Sequence, residues 1–504
     1  MSTEKVLLGI DIGTQAVKVL AVSLDGRVLA QFGLERGPSH PHPGWVEMDA
    51  AQDLWGPVVQ LLKRLFSSSA VRPQDIAVVG VSGLVPCLCP LDEQGNPAGE
   101  VILYSDNRAL DELAWVNQTA GLSLTAEAVV PKLVWIRNRQ PERFNRIRTI
   151  FSAHNFVVYR LTGVRVVDYD TAGILGGIFD RQSKSWRVEI FEKLGLSPSL
   201  LPPLSPATGL VGTITPEAAQ QTGLPTGIPV IAGSGDTFPT IVGCGVIDVG
   251  DAMVSYGTTG LLTLAQKPLV HSAGGPHFDD GKGEASVAWV ANILSAGRLV
   301  RWYCEQFGQM EHTIARRMGV SMHDLLDAQA GRLPPGADGL IILPHWLGRR
   351  TPDPTPHISG AMIGFTPSHT PAHIYRAILE SFGYNMRQTF EAVRSQAKRV
   401  VATAGGARSR LWRQIVTDIL KTPIEYYPSA SGALGIAFLA GYAAGLIQDF
   451  NDIKRHWLQG AEVTIPEPSL TPVYDRYFEV YCNFDREMAA PFAQLAQLAA
   501  HSTE

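Results

Sequence analysis

The chain has 504 residues, a formal net charge of −5, 45% hydrophobic and 18% charged residues, the balance of a globular enzyme with two or more domains. Its 49 Gly and 34 Pro stay below the roughly 25–30% of low-complexity disorder and fall at turns between apolar runs. No Lys/Arg block offers a footprint for nucleic acid, and no apolar run reaches the ~18 residues of a membrane span. Five scattered cysteines, with Cys87 and Cys89 read as small core residues, make neither a disulfide framework nor a zinc site. With no leader-like pattern ahead of the first apolar run, a cytoplasmic protein without nucleic-acid or membrane partners is expected.

Val6 to Ile10 is apolar, Asp11-Ile12-Gly13-Thr14-Gln15 interrupts it, and Val17 to Val22 resumes before the Asp25-Gly26 turn. This reads as strand, polar bend, strand. Short strands are expected at Ile76 to Ser82, Thr149 to Phe151 and Pro229 to Ala232, and helices over 107–118, 131–140 and 153–161. Near the middle, Asp251 to Leu264 repeats the first pattern around Tyr256-Gly257-Thr258-Thr259-Gly260, which suggests two related domains with a boundary at 246–250. Beyond it, 285–308, 321–329, 371–395, 408–421 and 430–445 read as helices. The last carries Gly432, Gly435, Gly441 and Gly445, each costing ~1 kcal/mol relative to Ala in a helix, so a very close packing partner is expected. The Pro/Gly-punctuated segment 333–367, with Arg349 and Arg350, is long for a connector and reads as a functional loop. His345 and His357 in it read as loop-packing residues.

Asp11-x-Gly13-Thr14 with Lys18 gathers backbone N–H groups, a hydroxyl and a carboxylate in one bend. Such a bend can cradle phosphate oxygens while the carboxylate holds Mg²⁺; the plain alternative is a hairpin turn. The Gly257-Thr258-Thr259 bend is a second phosphate candidate. Ala404-Gly405-Gly406-Ala407-Arg408-Ser409 forms a strand–Gly–helix context where backbone can approach a ligand. There is neither GxGxxG nor GxxxxGK[ST], which weakens Rossmann and P-loop readings. Asp236 ends an apolar strand after Gly233 and Gly235, placed either to take a proton from a bound hydroxyl or to cap the following helix. No elbow-like Ser or Cys beside a His suggests a nucleophilic hydrolase.

In order along the chain stand Gly9-Ile-Asp11-Ile-Gly13-Thr14, Pro41-His42-Pro43-Gly44-Trp45-Val-Glu47-Met-Asp49, Tyr104-Ser-Asp106-Asn-Arg108, Pro131-Lys132-Leu-Val-Trp135, Gly233-Ser-Gly235-Asp236, Ser255 to Gly260, Gly348-Arg349-Arg350-Thr351-Pro352 and Gly405-Gly406-Ala407-Arg408-Ser409. With Gly360 to Thr366 and His373 to Glu380, this set resembles the FGGY family of carbohydrate kinases through nearly the whole length, most nearly its xylulokinase-like members. The resemblance implies an α/β, two-domain fold of the actin, hexokinase and Hsp70 kind (ribonuclease H-like), with ATP and sugar in the interdomain cleft. Residues 1–248 would bind sugar and carry the base, and 249–504 would bind ATP.

The resemblance further implies ATP-dependent transfer of the γ-phosphate to a hydroxyl of D-xylulose or a related ketose or polyol. Asp236 would be the base and Asp11 the acid organising Mg²⁺, with Asp236 beside the metal. Gly13, Thr14, Gln15, Lys18, Gly257, Thr258 and Thr259 would hold phosphates, and Gly405, Gly406 and Ala407 the adenosine. Val85, Pro86, Asp106, Arg108 and Asp236 would meet the sugar; a homodimer is expected by analogy. Xylulokinases carry Gly-Gln-Met-His where this chain has Gly83-Leu84-Val85-Pro86, which replaces a polar edge by an apolar one and points to a substrate with one less polar end. Tyr104-Ser105-Asp106 stands for Trp-Asn-Asp, and Glu127 and Val129 depart from the family's N-terminal signature. Kinases for another sugar, aldonate or polyol, and a non-catalytic ATP-binding sensor, are the competing readings; retention of Asp11 and Asp236 speaks against the sensor.

Overall fold

The computed structural model describes residues 5–266, 287–353, 355 and 358–501; His357 and the start of the expected 285–308 helix lie outside them. The described chain falls into two compact units, one built from residues up to Ile247 together with Ser429–Leu458, the other from Asp248–Gln266, Val287–Pro428 and the chain after Gln459. The change of unit at 247/248 lies where the apolar Gly-rich run ends.

In the first unit, β1 (Val6–Ile12), β2 (Ala16–Ser23) and β3 (Val28–Glu35) form an antiparallel meander. β4 (Ile76–Gly83) lies parallel to β1, and β5 (Leu210–Thr213) and β6 (Pro229–Ile231) extend the sheet to the order β5–β6–β4–β1–β2–β3. A short strand, β7 (Ser234–Gly235), pairs with the end of β4. β1 and β4 are buried almost throughout, as a strand covered on both faces must be.

In the second unit, β8 (Asp251–Tyr256), β9 (Gly260–Ala265) and β10 (Val287–Ile293) repeat the meander. β11 (Arg399–Thr403) runs parallel to β8, followed by β12 (Ile424–Tyr426) and β13 (Glu462–Thr464), in the order β10–β9–β8–β11–β12–β13. Both sheets thus read antiparallel, antiparallel, parallel, parallel, antiparallel from the third strand outward. This is the duplication expected from the two similar bends, and the α/β fold class stands.

Two expectations change. The single helix over 285–308 is a strand, β10, followed by a helix over Gly297–Phe307; the open edge of β9 offers ladder partners that override a helix-like spacing. The glycine-rich segment after 429, which the sequence reading leaves in the C-terminal half, packs in the first unit. Its helix, Gly432–Ala443, lies on β1 and β4 with backbone on backbone: a Cβ on Gly9 would stand 2.0 Å from Ala433 O, on Gly80 2.5 Å from Ile436 O, and on Gly435 1.8 Å from Pro239 O. The close partner inferred from its glycines is therefore the central strand pair and the helix Thr237–Gly243. The other expected helices are observed, among them Leu110–Ala120, Val129–Arg139, Ala153–Thr162, Pro371–Val393 and Arg410–Leu420.

Candidate active site

Parallel β1, β4 and β7 end at the same sheet edge, the usual ligand edge of such sheets. Asp11 of β1 is paired with Ser82 of β4, and Gly235 of β7 with Gly83. Asp236 follows at once and donates its N–H to Gly83 O at 2.8 Å. The end of β4 therefore stands between the two acids, Asp11 on β1 and Asp236 just past β7, strands two inter-strand spacings, ~10 Å, apart. Ser82 Oγ donates to Asp11 Oδ1 at 2.8 Å. Burial raises the Asp11 carboxyl, opposed by the charge of Lys18, its cross-strand neighbour, and by the Ser82 hydroxyl.

Asp236 is pushed up to about 7, first by burial and then by the nearby negative charge of Asp11. It occupies the N-cap position of the helix Thr237–Gly243, yet its carboxylate makes no capping bond. Its Oδ1 accepts from the Thr237 hydroxyl at 3.3 Å, and the backbone N–H groups of Thr237 and Asp236 also act on the carboxylate. The capping alternative thus falls away, and the carboxylate remains able to accept a further proton or a cation. Gly432 closes the other side: a Cβ there would stand 3.2 Å from Asp11 Oδ1 and 3.0 Å from Thr240 Oγ1. The N-terminus of the helix Gly432–Ala443, its positive dipole end, is thereby set beside Asp11.

The Gly13–Gln15 bend is held from behind. Arg36 donates from Nη1 to Thr14 O at 2.9 Å and from its own N–H to Gln15 O at 2.9 Å, and its Nε bonds Asp53 O. No described hydrogen bond uses the N–H of Thr14 or Gln15, so both are available to an anion. Ser82 and Arg36 hold these candidate site residues in place, and the sequence reading singled out neither. A serine ending a buried strand opposite Asp11 is a weak signal for the first; a lone arginine just after β3 gives none for the second.

The segments at 41–49 and 104–108 meet through Arg108. Its guanidinium pairs with Asp106 (Nη2–Oδ2 2.6 Å, Nε–Oδ1 2.8 Å) and Glu47 (Nη1–Oε1 2.7 Å), and lies 3.7 Å over the Trp45 ring. Asp106 Oδ2 also accepts from Val46 N–H at 2.6 Å. These two charged side chains are buried and turned to one another, so the structure shows a clamp between two segments, not free groups. Lys132 Nζ is likewise committed to the carbonyls of Leu103, Tyr104 and Glu127 at 2.9, 3.3 and 3.2 Å, and burial lowers it to about 8. Val85 is half-buried against Gly235, whose Cβ would stand 2.3 Å from Val85 Cγ2. This brings the apolar Val85-Pro86 edge next to the residue before Asp236.

In the second unit the strand ends of β8 and β11 are neighbours, Ser255 beside Thr403. Tyr256 is buried on Phe382 and Trp412, with ring centroids 5.0 and 5.1 Å away. A Cβ on Gly406 would meet the Trp412 ring at 2.4 Å and Tyr256 O at 2.9 Å, so the two turns are packed as one body. Gly257 O and Thr258 O accept from Gly297 N–H and Arg298 N–H at 2.8 and 3.1 Å. The N–H groups of Thr258, Thr259, Gly405 and Gly406 enter no described hydrogen bond. His345 is the loop-packing residue expected, with Nε2 2.7 Å from Asp485 Oδ1; Arg349 Nη1 lies 2.7 Å from Asp485 Oδ2. Among the described residues, no helix is long and apolar enough to cross a membrane.

A duplicated sheet whose strand ends carry acids and open glycine bends suits the handling of phosphates, and its match to a family of carbohydrate kinases makes the chain an ATP-dependent phosphotransferase with an alcohol acceptor. Residues 6–243 match the N-terminal domain of the FGGY family of carbohydrate kinases and residues 252–444 its C-terminal domain, and the chain belongs to that family. It is 28% identical over 493 residues to a xylulose kinase of Bacillus subtilis, spanning 95% of this chain and 96% of that one. It is 26% identical over 512 residues to a gluconokinase of Bacillus licheniformis, 97% of each chain being covered. The crystal structure of xylulose kinase from Rhodospirillum rubrum is similar with a TM-score of 0.78 at 29% identity, over 97% of this chain and 100% of that one.

Proposed function

We propose that this carbohydrate kinase phosphorylates a neutral ketose or polyol, D-xylulose being the first compound to test, with Asp236 as the general base. The observation that carries the reading is the half-buried Asp236 carboxylate at the strand-end edge, which makes no capping bond and is pushed up to about 7, where a base is both ionised and able to accept a proton. A sugar hydroxyl gives its proton to Asp236 as its oxygen attacks the γ-phosphorus of ATP; the P–O bond to the β-phosphate breaks, and ADP carries away the electron pair. The free N–H groups at 14–15 and 258–259 supply donors for phosphate oxygens, and the turn at 405–407 takes the adenosine. Positioning and electrostatics of this kind are what phosphoryl transfer needs most.

Mg²⁺ fits the donor set. Asp11 and Asp236 offer hard carboxylate oxygens close enough to repel one another, and no larger cluster of His, Cys, Asp or Glu stands among the described residues. Such a site suits a cation that keeps water and phosphate oxygens as its remaining ligands. The ion would neutralise charge on the phosphates.

A neutral substrate is favoured over an aldonate because the cations of the sugar-side segments are already engaged: Arg108 with Asp106 and Glu47, Lys132 with three carbonyls. A carboxylate would find neither free. The Val85-Pro86 edge supports a sugar that is less polar beside the reacting end. A cytoplasmic homodimer completes the reading, supported by the family resemblance and tested by light scattering. The main test is ADP release from Mg²⁺–ATP over ketopentoses, ketohexoses, polyols and aldonates with a no-sugar blank. Turnover with a ketose well above the blank is expected; selective turnover of gluconate would refute the neutral-substrate reading.

A further inference from the structure

Two adjacent residues after β11 have side chains opposite to those the fold alone would ask for. Ala404 stands at φ 72°, ψ 180°, a region that is essentially glycine-only. Yet it carries a methyl group, and that methyl is exposed. Gly405 is in no positive-φ conformation, and a Cβ added to it would find nothing within 4 Å. Neither backbone nor packing requires glycine there. The Ala404 methyl lies 3.9 Å from the point a Cβ on Gly257 would occupy, so it projects toward the neighbouring bend.

A ligand surface accounts for both positions, with bare backbone at 405 for close approach and a methyl at 404 for contact. We propose that the Ala404 methyl packs against the bound nucleotide, and that its glycine-only conformation is kept for this contact. The proposal rests on the reading of the 405–407 turn as part of the ATP site. Folding gains nothing from an exposed methyl in a strained conformation; the return is nucleotide affinity.

The test compares Ala404→Gly and Gly405→Ala in the full chain, by thermal melting without nucleotide and by calorimetric titration with Mg²⁺–ATP. Ala404→Gly should melt roughly 1–3 °C higher as strain is released and bind ATP about fourfold more weakly, the worth of one buried methyl. Gly405→Ala should melt no lower than the parent and also lose affinity, because its methyl fills the space of close approach. Unchanged or tighter ATP binding by Ala404→Gly, alongside weakened binding by Gly405→Ala, overturns the methyl contact and leaves the nucleotide site standing. Unchanged binding by both variants overturns the site reading as well. A failure of Ala404→Gly to melt higher refutes the strain on which the inference is built.

Discussion

Asp236→Asn replaces a carboxylate by an amide of nearly the same shape that cannot ionise, and its effects on activity and on stability have opposite signs. The carboxyl is raised from 3.8 to about 7 by burial and by Asp11. In the unfolded chain it ionises near 3.8; in the folded protein it holds its proton to about 7. Its stabilising share is therefore complete below pH ~4 and is lost as pH rises through 7. A shift of about three pH units at ~1.36 kcal/mol each gives about 4 kcal/mol of destabilisation by pH 8. Asn escapes it, so the variant should match the parent near pH 4 and exceed it by up to about 4 kcal/mol at pH 8, without metal or nucleotide. Denaturant unfolding at pH 4, 6, 7 and 8 reads this directly. Turnover should fall by ~10²–10⁴, the usual worth of a positioned base. Stability curves of parent and variant that run parallel across this range would refute the burial argument. A loss of activity under tenfold would refute the base.

Other consequences are open to measurement. kcat/KM for the sugar should rise with pH along a limb whose apparent pKa is near 7, and Asp11→Asn should move that limb to lower pH by removing the like charge; an unmoved limb would separate the two acids. Arg108→Met should cost about 3–5 kcal/mol, because it strands Asp106 and Glu47 in buried positions, which chemical denaturation would show. Gly435→Ala should cost about 3 kcal/mol or more, since its Cβ would lie 1.8 Å from Pro239 O and a backbone cannot yield as a side chain can; soluble expression and melting temperature report it.

The bends at 11–15 and 256–260 and the turn at 404–409 are legible in the sequence because turn chemistry is local. Glycine, threonine and aspartate between apolar runs dictate a polar break wherever they occur. The repetition of that pattern also announces the duplicated sheet. The cap-or-base ambiguity at Asp236 is not local. The end of β4 bears on it, since its Gly83 carbonyl holds the Asp236 N–H while the carboxylate makes no capping bond; the base role is for the activity assay to decide. Asp106 and Arg108 read as sugar contacts from their motif; only the packed chain reveals that each is the other's partner and that Trp45 lies under the guanidinium.

By itself, the sequence determined the family, the two sheets, the acids and the glycine turns, all carried by short-range patterning or by ordered motifs. Tertiary structure decided what depends on groups far apart in the chain. Val287–Ile293 became a strand because β9 presented an unfilled ladder edge. Helix Gly432–Ala443 joined the first unit because its glycines and those of β1 and β4 permit backbone contact that no single segment specifies. The raised carboxyl of Asp236 comes first from its enclosure and then from Asp11, 225 positions away, brought to the same sheet edge. Burial and charge act through space, and their partners exist only once the chain has folded.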